Sequence, residues 1–176
     1  MGDGRDWTFV LVELCAECGY DVRELDEAEL GPLVRSVGRT WEALLDSVAD
    51  DPRAVRRPAP AVWSPIEYGE HVRDVLALFT LRARRILAED DPQFADWDPD
   101  VTADELPYGQ VPPREVGAAI ASNADVLAEL YEGADEADLA RPGRRSDGAV
   151  FTLGSLGRYM LHDTVHHVYD VETSLA

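Results

Sequence analysis

The chain has 176 residues, 35 of them acidic and 16 basic, for a net charge of −19; 45% of the residues are hydrophobic and 29% charged. That composition belongs to one globular domain, or one with a small appendage, and not to a disordered chain. The charge repels phosphate backbones and anionic lipid, so nucleic acid and membrane are excluded as expected partners.

No apolar run approaches the roughly 20 residues of a membrane span. The opening residues, Met1 to Asp6, lack the basic-then-apolar order of a secretory signal, and a cytoplasmic protein is expected. Every basic residue is arginine. Without lysine, Schiff-base and P-loop chemistry are removed.

Residues 1–24 form a first unit. Trp7 to Cys15 is rich in strand formers, and Cys15-Ala-Glu-Cys18-Gly19 reads as a turn. This predicts a short β-hairpin carrying a CxxC pair. Residues 25–176 have a helical pattern. Asp26 with Glu29 predicts a capping box, followed by apolar residues at helical spacing from Leu33 through Trp41 to Val48. A proline-rich linker covers Asp50 to Val62. The second helix has the clearest start: Ser64 caps, Pro65 takes the first helical position, Glu67 closes the box, and the helix runs to about Glu89. A long irregular stretch from Asp90 through Pro107 to Pro113 follows. Its Trp97, flanked by Asp96, Asp98 and Asp100, is either a pin for a solvated loop or part of a lid or acidic cation site. The third helix is expected over about Arg114 to Glu132, a further turn over Asp135 to Leu139, and a turn-rich loop over Arg141 to Gly148. A fourth helix is expected from about Thr152 to near the C-terminus. The whole is an all-α four-helix bundle, with a connection between the second and third helices long enough for a crossover.

The chemistry gathers at the histidines. Three of the four lie within His162-Asp163-Thr164-Val165-His166-His167; the fourth is His71 on the second helix. His162 and His166, at i and i+4, stack on one helix face and can share a metal ion. His71 can supply the third nitrogen, leaving one position open. Asp163 and His167 form an alternative i, i+4 pair, and Asp163 and Asp170 are alternatively partners that orient ligand imidazoles. Against all of these stands a metal-free bundle with packed histidines.

The segments Trp63-Ser-Pro-Ile-Glu67-Tyr-Gly-Glu-His71-Val-Arg-Asp74 and Leu161-His-Asp-Thr-Val-His-His-Val-Tyr-Asp170 resemble the DinB/YfiT-like superfamily, nearest its actinobacterial branch grouped with mycothiol-dependent maleylpyruvate isomerases. The resemblance implies a four-helix bundle with a divalent metal, zinc before nickel or iron, on His71, His162 and His166. Some members carry a carboxylate in the last-helix pair, which keeps Asp163/His167 open. The separate C-terminal domain of some isomerase relatives is not expected here, so that named activity is not carried over. The resemblance implies a thiol-dependent transferase or isomerase acting on a small molecule, with a low-molecular-weight thiol such as mycothiol held as thiolate. Arg73, Arg158 and Tyr159, with Tyr169 nearby, are candidates to hold that cofactor, against surface ion pairs and bundle packing. The alternatives are a metal-dependent hydrolase with Glu67 or Asp163 as base, or a noncatalytic stress-response module that binds metal or ligand. A homodimer is compatible with such a bundle.

Cys15 and Cys18 allow three readings: a reduced hairpin without an ion, a zinc site completed by another subunit or by His167, or a redox dithiol. No second cysteine pair exists to complete a four-ligand site.

Overall fold

The structure, a computed structural model, describes residues 6–106 and 108–176, apart from the side chains of Asp100 and Asp104. Residues 1–5 of the expected N-terminal unit, Pro107 of the irregular stretch and the Asp100 side chain lie outside that description.

Four long helices build the bundle: α1 (Leu30–Ser47), α2 (Pro65–Ala88), α4 (Pro113–Glu132) and α6 (Leu153–Leu175), with short α3 (Pro99–Glu105) and α5 (Glu136–Leu139) between them. The α1 and α2 helices sit diagonally. Each packs on both α4 and α6, so the order is not up-down-up-down. The long α2–α4 connection, expected as a crossover, joins neighbours; the connections that cross the bundle diagonally are those from α1 to α2 and from α4 to α6. Among the described residues no helix is long and apolar enough to cross a membrane.

The α1 and α4 helices approach closely. A Cβ added at Gly38 would collide with the Ala124 side chain, and one at Gly117 would come within 3.2 Å of the Glu42 backbone. Val34, Val37, Trp41 and Leu45 of α1 and Ile120, Ala124 and Leu127 of α4 fill the core between them. Trp41, fully buried, donates its Nε1–H to the carbonyl of Thr164 at 3.0 Å. That bond fixes α6 at the level where its histidines lie.

Helix α2 starts as the sequence predicts. Ser64 Oγ accepts from the Glu67 N–H, and the Glu67 carboxylate accepts from the Ser64 N–H at 2.8 Å. The box expected at Asp26 does not form. Asp26 accepts from the Ala28 N–H and caps a single 3-10 turn, Glu27–Glu29, after which α1 begins at Leu30.

The expected N-terminal hairpin is corrected too. Among the described residues no strand forms before α2. Trp7–Leu11 is a 3-10 helix capped by Asp6, and Val22–Glu24 is another capped by Asp21. The strand formers have no partner edge to pair with. Val12 and Leu14 are exposed, while Val10, Cys15 and Val22 form a small cluster packed against Tyr159 of α6. Tertiary packing overrides strand propensity here.

The strands lie elsewhere. The turn-rich loop is a hairpin of β2 (Pro142–Arg145) and β3 (Val150–Thr152), and β1 (Gln93–Phe94) pairs parallel with β2. Gly143 lets β2 lie against α2, because a Cβ there would sit 2.7 Å from Ile86. The sheet carries Arg145 to the edge of the space between α2 and α6.

Candidate metal centre

One stretch of α6 carries four donor side chains: His162, Asp163, His166 and His167. Neighbouring residues on a helix are turned by roughly 100° from one another, so the pairs 162/166 and 163/167 face different directions. The structure gathers them into two separate clusters. His71, Asp163 and His167 form one, with three donor atoms within 4.8 Å of one another; Cys15, Cys18, His162 and His166 form the other under the same limit. The expected set of His71, His162 and His166 is therefore not brought together. The alternative register, Asp163 with His167, is the one that meets His71.

In the first cluster His71 Nε2 stands 3.3 Å from Asp163 Oδ2, and Asp163 Oδ1 stands 3.7 Å from His167 Nε2. Asp170 Oδ2 lies 2.8 Å from His167 Nδ1. When Nδ1 donates to this carboxylate, the Nε2 lone pair is left facing the cluster. Beyond that 3.3 Å approach of Nε2 to Oδ2, both ring nitrogens of His71 and Oδ2 of Asp163 are buried without a hydrogen-bond partner. Orphaned buried polar atoms are costly unless something else satisfies them. Two imidazoles and a carboxylate converging on one point are the donor set of open divalent-metal sites.

The electrostatics of His71 and Asp163 suit that use. Burial lowers the pKa of His71 against the pull of Asp163, which favours the neutral imidazole. Burial alone would raise the pKa of Asp163, but His71, His167 and His162 together bring it down to about 2. Burial likewise opposes a proton on His167, and the bond to Asp170 with the charge of Asp163 outweighs it.

The cluster opens on a cavity of about 410 Å³. Val75, Phe79 and Trp97 give it apolar walls, while Arg82, Arg145, Tyr159 and the carboxylates of Asp6, Asp96, Asp98 and Asp147 give it polar ones, Arg145 being paired with Asp147 at 2.6 Å. Trp97 stacks on the His71 ring, centroids 5.4 Å apart and planes 3° from parallel. Its Nε1–H donates to Thr102 at 2.7 Å, which ties the loop down. Arg82 is only 4% exposed and lies across the rings of Phe79 and Phe94. Burial, reinforced by Arg145, pushes its pKa down to about 10, so it remains cationic near neutral pH. Its Nε is buried and unpaired. A smaller space of about 200 Å³, bounded by Trp63, Tyr68 and Asp170, lies on the other side of the three donors.

The remaining predicted residues are distributed as follows. Glu67 is held in the cap of α2 and paired with Arg57 at 2.7 Å, and it does not line the cavity. Arg73 pairs with Asp74 at 2.8 Å, and Arg158 donates to the Leu25 carbonyl beside Glu27; neither lines the cavity. Tyr159 does line it, and Tyr169 is largely exposed. Sequence reasoning missed Arg82 and Arg145. For Arg82 a signal exists: His71, Val75, Phe79 and Arg82 fall on one helical face, so an arginine continues a buried stripe. For Arg145 no such signal exists, because its place depends on a two-residue strand pairing with β2.

Comparison with known proteins bears on this arrangement. A family model described as the DinB superfamily matches residues 33–171. Among solved structures, YfiT from Bacillus subtilis, described as a probable metal-dependent hydrolase with an unusual four-helix bundle topology, superposes with a TM-score of 0.70. It shares 20% sequence identity, over 89% of this chain and 92% of that one. At that identity the likeness is one of fold. No curated protein matches significantly.

Proposed function

Since this chain belongs to the DinB superfamily, we propose that it is a metal-dependent enzyme that hydrolyses a small anionic substrate at the His71–Asp163–His167 centre. One observation carries the reading: the donors of His71, Asp163 and His167, with buried atoms of the first two lacking hydrogen-bond partners, converge where α2 and α6 face a cavity lined by two arginines.

The roles follow from position. His71 and His167 would hold a divalent ion through ring nitrogens, and Asp163 would hold it through its carboxylate. Asp170 keeps His167 in the required tautomer. A bound ion would lower the pKa of a coordinated water or thiol toward neutrality. Arg82, whose Nε has no hydrogen-bond partner, binds and orients the negatively charged end of the substrate, with Arg145, paired to Asp147, adding positive charge beside it. Such charge-assisted bonds strengthen where water is excluded. Val75, Phe79 and Trp97 exclude that water. Glu67 takes no part, being committed to the α2 cap. The description of YfiT as a probable metal-dependent hydrolase supports the reaction class.

A second reading is transfer of a low-molecular-weight thiol, such as mycothiol, to a small electrophile. The cavity favours it, being far larger than a water molecule needs and having guanidinium groups suited to a carboxylate-bearing thiol.

The test is a panel of carboxylate-bearing esters and amides and of phosphate esters, assayed with zinc-, nickel- and iron-loaded protein. Hydrolysis that needs metal and disappears in His71→Ala supports the proposal. Inertness across the panel, together with thermal stabilisation by a thiol only when metal is present, transfers the assignment to thiol chemistry. Hydrolysis that is unchanged in His71→Ala contradicts both readings.

A further inference from the structure

The second cluster has no part in that reaction. We propose that Cys15, Cys18, His162 and His166 form a closed Cys2His2 zinc site that fastens the N-terminal segment to α6. The site is independent of the His71–Asp163–His167 assignment and would stand if that assignment failed.

The distances fit the ion. Zinc bonded to sulfur at about 2.3 Å and to nitrogen at about 2.05 Å, with tetrahedral angles, sets its sulfur and nitrogen ligands about 3.6 Å apart. Cys15 Sγ lies 3.7 Å from His166 Nδ1, and Cys18 Sγ lies 3.6 Å from His162 Nε2. Two separate S–H···N hydrogen bonds could have those lengths, but they would not require the two pairs to share a centre. Here all four donors fall within 4.8 Å of one another.

The local chain is shaped for it. Gly19 has φ +71°, a backbone conformation that glycine adopts without strain. Its N–H bonds the Cys15 carbonyl at 2.9 Å, closing the turn that brings both sulfurs to one side. Trp7 covers the opposite side, its ring centroid 5.0 Å from that of His166 and 5.7 Å from that of His162. Cys15 is 1% exposed, His162 2% and His166 6%. Four protein ligands leave no open position, which is the mark of a structural and not a catalytic zinc site.

The charges balance. The two thiols release two protons to solvent as zinc binds, and two thiolates with two neutral imidazoles leave the site uncharged.

The site has a structural consequence for the cavity. Asp6 and Trp7 belong to its wall, and zinc would hold that wall in place through Cys15 and Cys18.

Two measurements on purified protein test the proposal. Cobalt-substituted wild-type protein is expected to show a near-ultraviolet sulfur-to-cobalt charge-transfer band that is lost in Cys18→Ser and kept in His71→Ala. Should Cys18→Ser fail to fold, an organomercurial titration of the wild type decides: blocking both thiols is expected to release one zinc per chain to a chromogenic chelator. Cobalt-loaded protein without a sulfur band, or thiols blocked without zinc release, overturns the proposal.

Discussion

His166 and His167 are adjacent in the chain, yet their rings serve different clusters. The centroids lie 5.8 Å apart with planes at 81°. His166 turns Nδ1 to Cys15, and His167 turns Nε2 to Asp163. Two substitutions one residue apart should therefore remove different ions. His167→Ala is expected to lose the ion at His71 while keeping the sulfur-to-cobalt band, and His166→Ala is expected to do the reverse. Elemental analysis with cobalt absorption on each variant checks this.

Asp170 orients its neighbour without joining the donors. Removing such a partner weakens metal affinity by about 10- to 100-fold. Asp170→Asn should therefore shift the chelator competition curve for the His71 centre by that factor.

Arg82 is buried, has no acidic partner among the described residues, and faces the cavity. A hydrogen bond to a charged group contributes about 1.5–3 kcal/mol, so Arg82→Met should raise KM for an anionic substrate by about 10- to 100-fold. Replacing a buried charge by an apolar side chain of similar size is often neutral or stabilising. The same variant should hold or raise the urea midpoint. A loss of stability with KM unchanged would assign Arg82 to the fold instead.

Glu67 separates a helix cap from a catalytic base. Glu67→Gln should leave turnover unchanged while costing about 1 kcal/mol of stability, the scale of a weakened cap. Denaturant titration beside initial-rate kinetics reads both.

The bundle was legible in the sequence because periodicity and caps are local signals. Ser64, Pro65 and Glu67 define the start of α2 within three residues of one another, and Thr152 does the same for α6. The register of the site was not legible. His162/His166 and Asp163/His167 have the same spacing, and which pair meets α2 depends on the rotation of α6. That rotation is set by contacts remote in sequence, such as the bond from Trp41 to the Thr164 carbonyl. The cysteines failed to read for a related reason. Their partners lie over 140 residues away, on a face that the i, i+4 rule had already allotted to the other centre. Strand propensity in Trp7 to Leu11 misled because propensity describes a chain that finds an edge to pair with, and this segment meets a helix.

The most direct test is an anomalous difference map from crystals of the zinc-loaded protein. The account predicts a peak bounded by His71, Asp163 and His167, opening on the cavity beside Trp97. A peak bounded by His71, His162 and His166, or none among His71, Asp163 and His167 in protein that retains zinc, would contradict it.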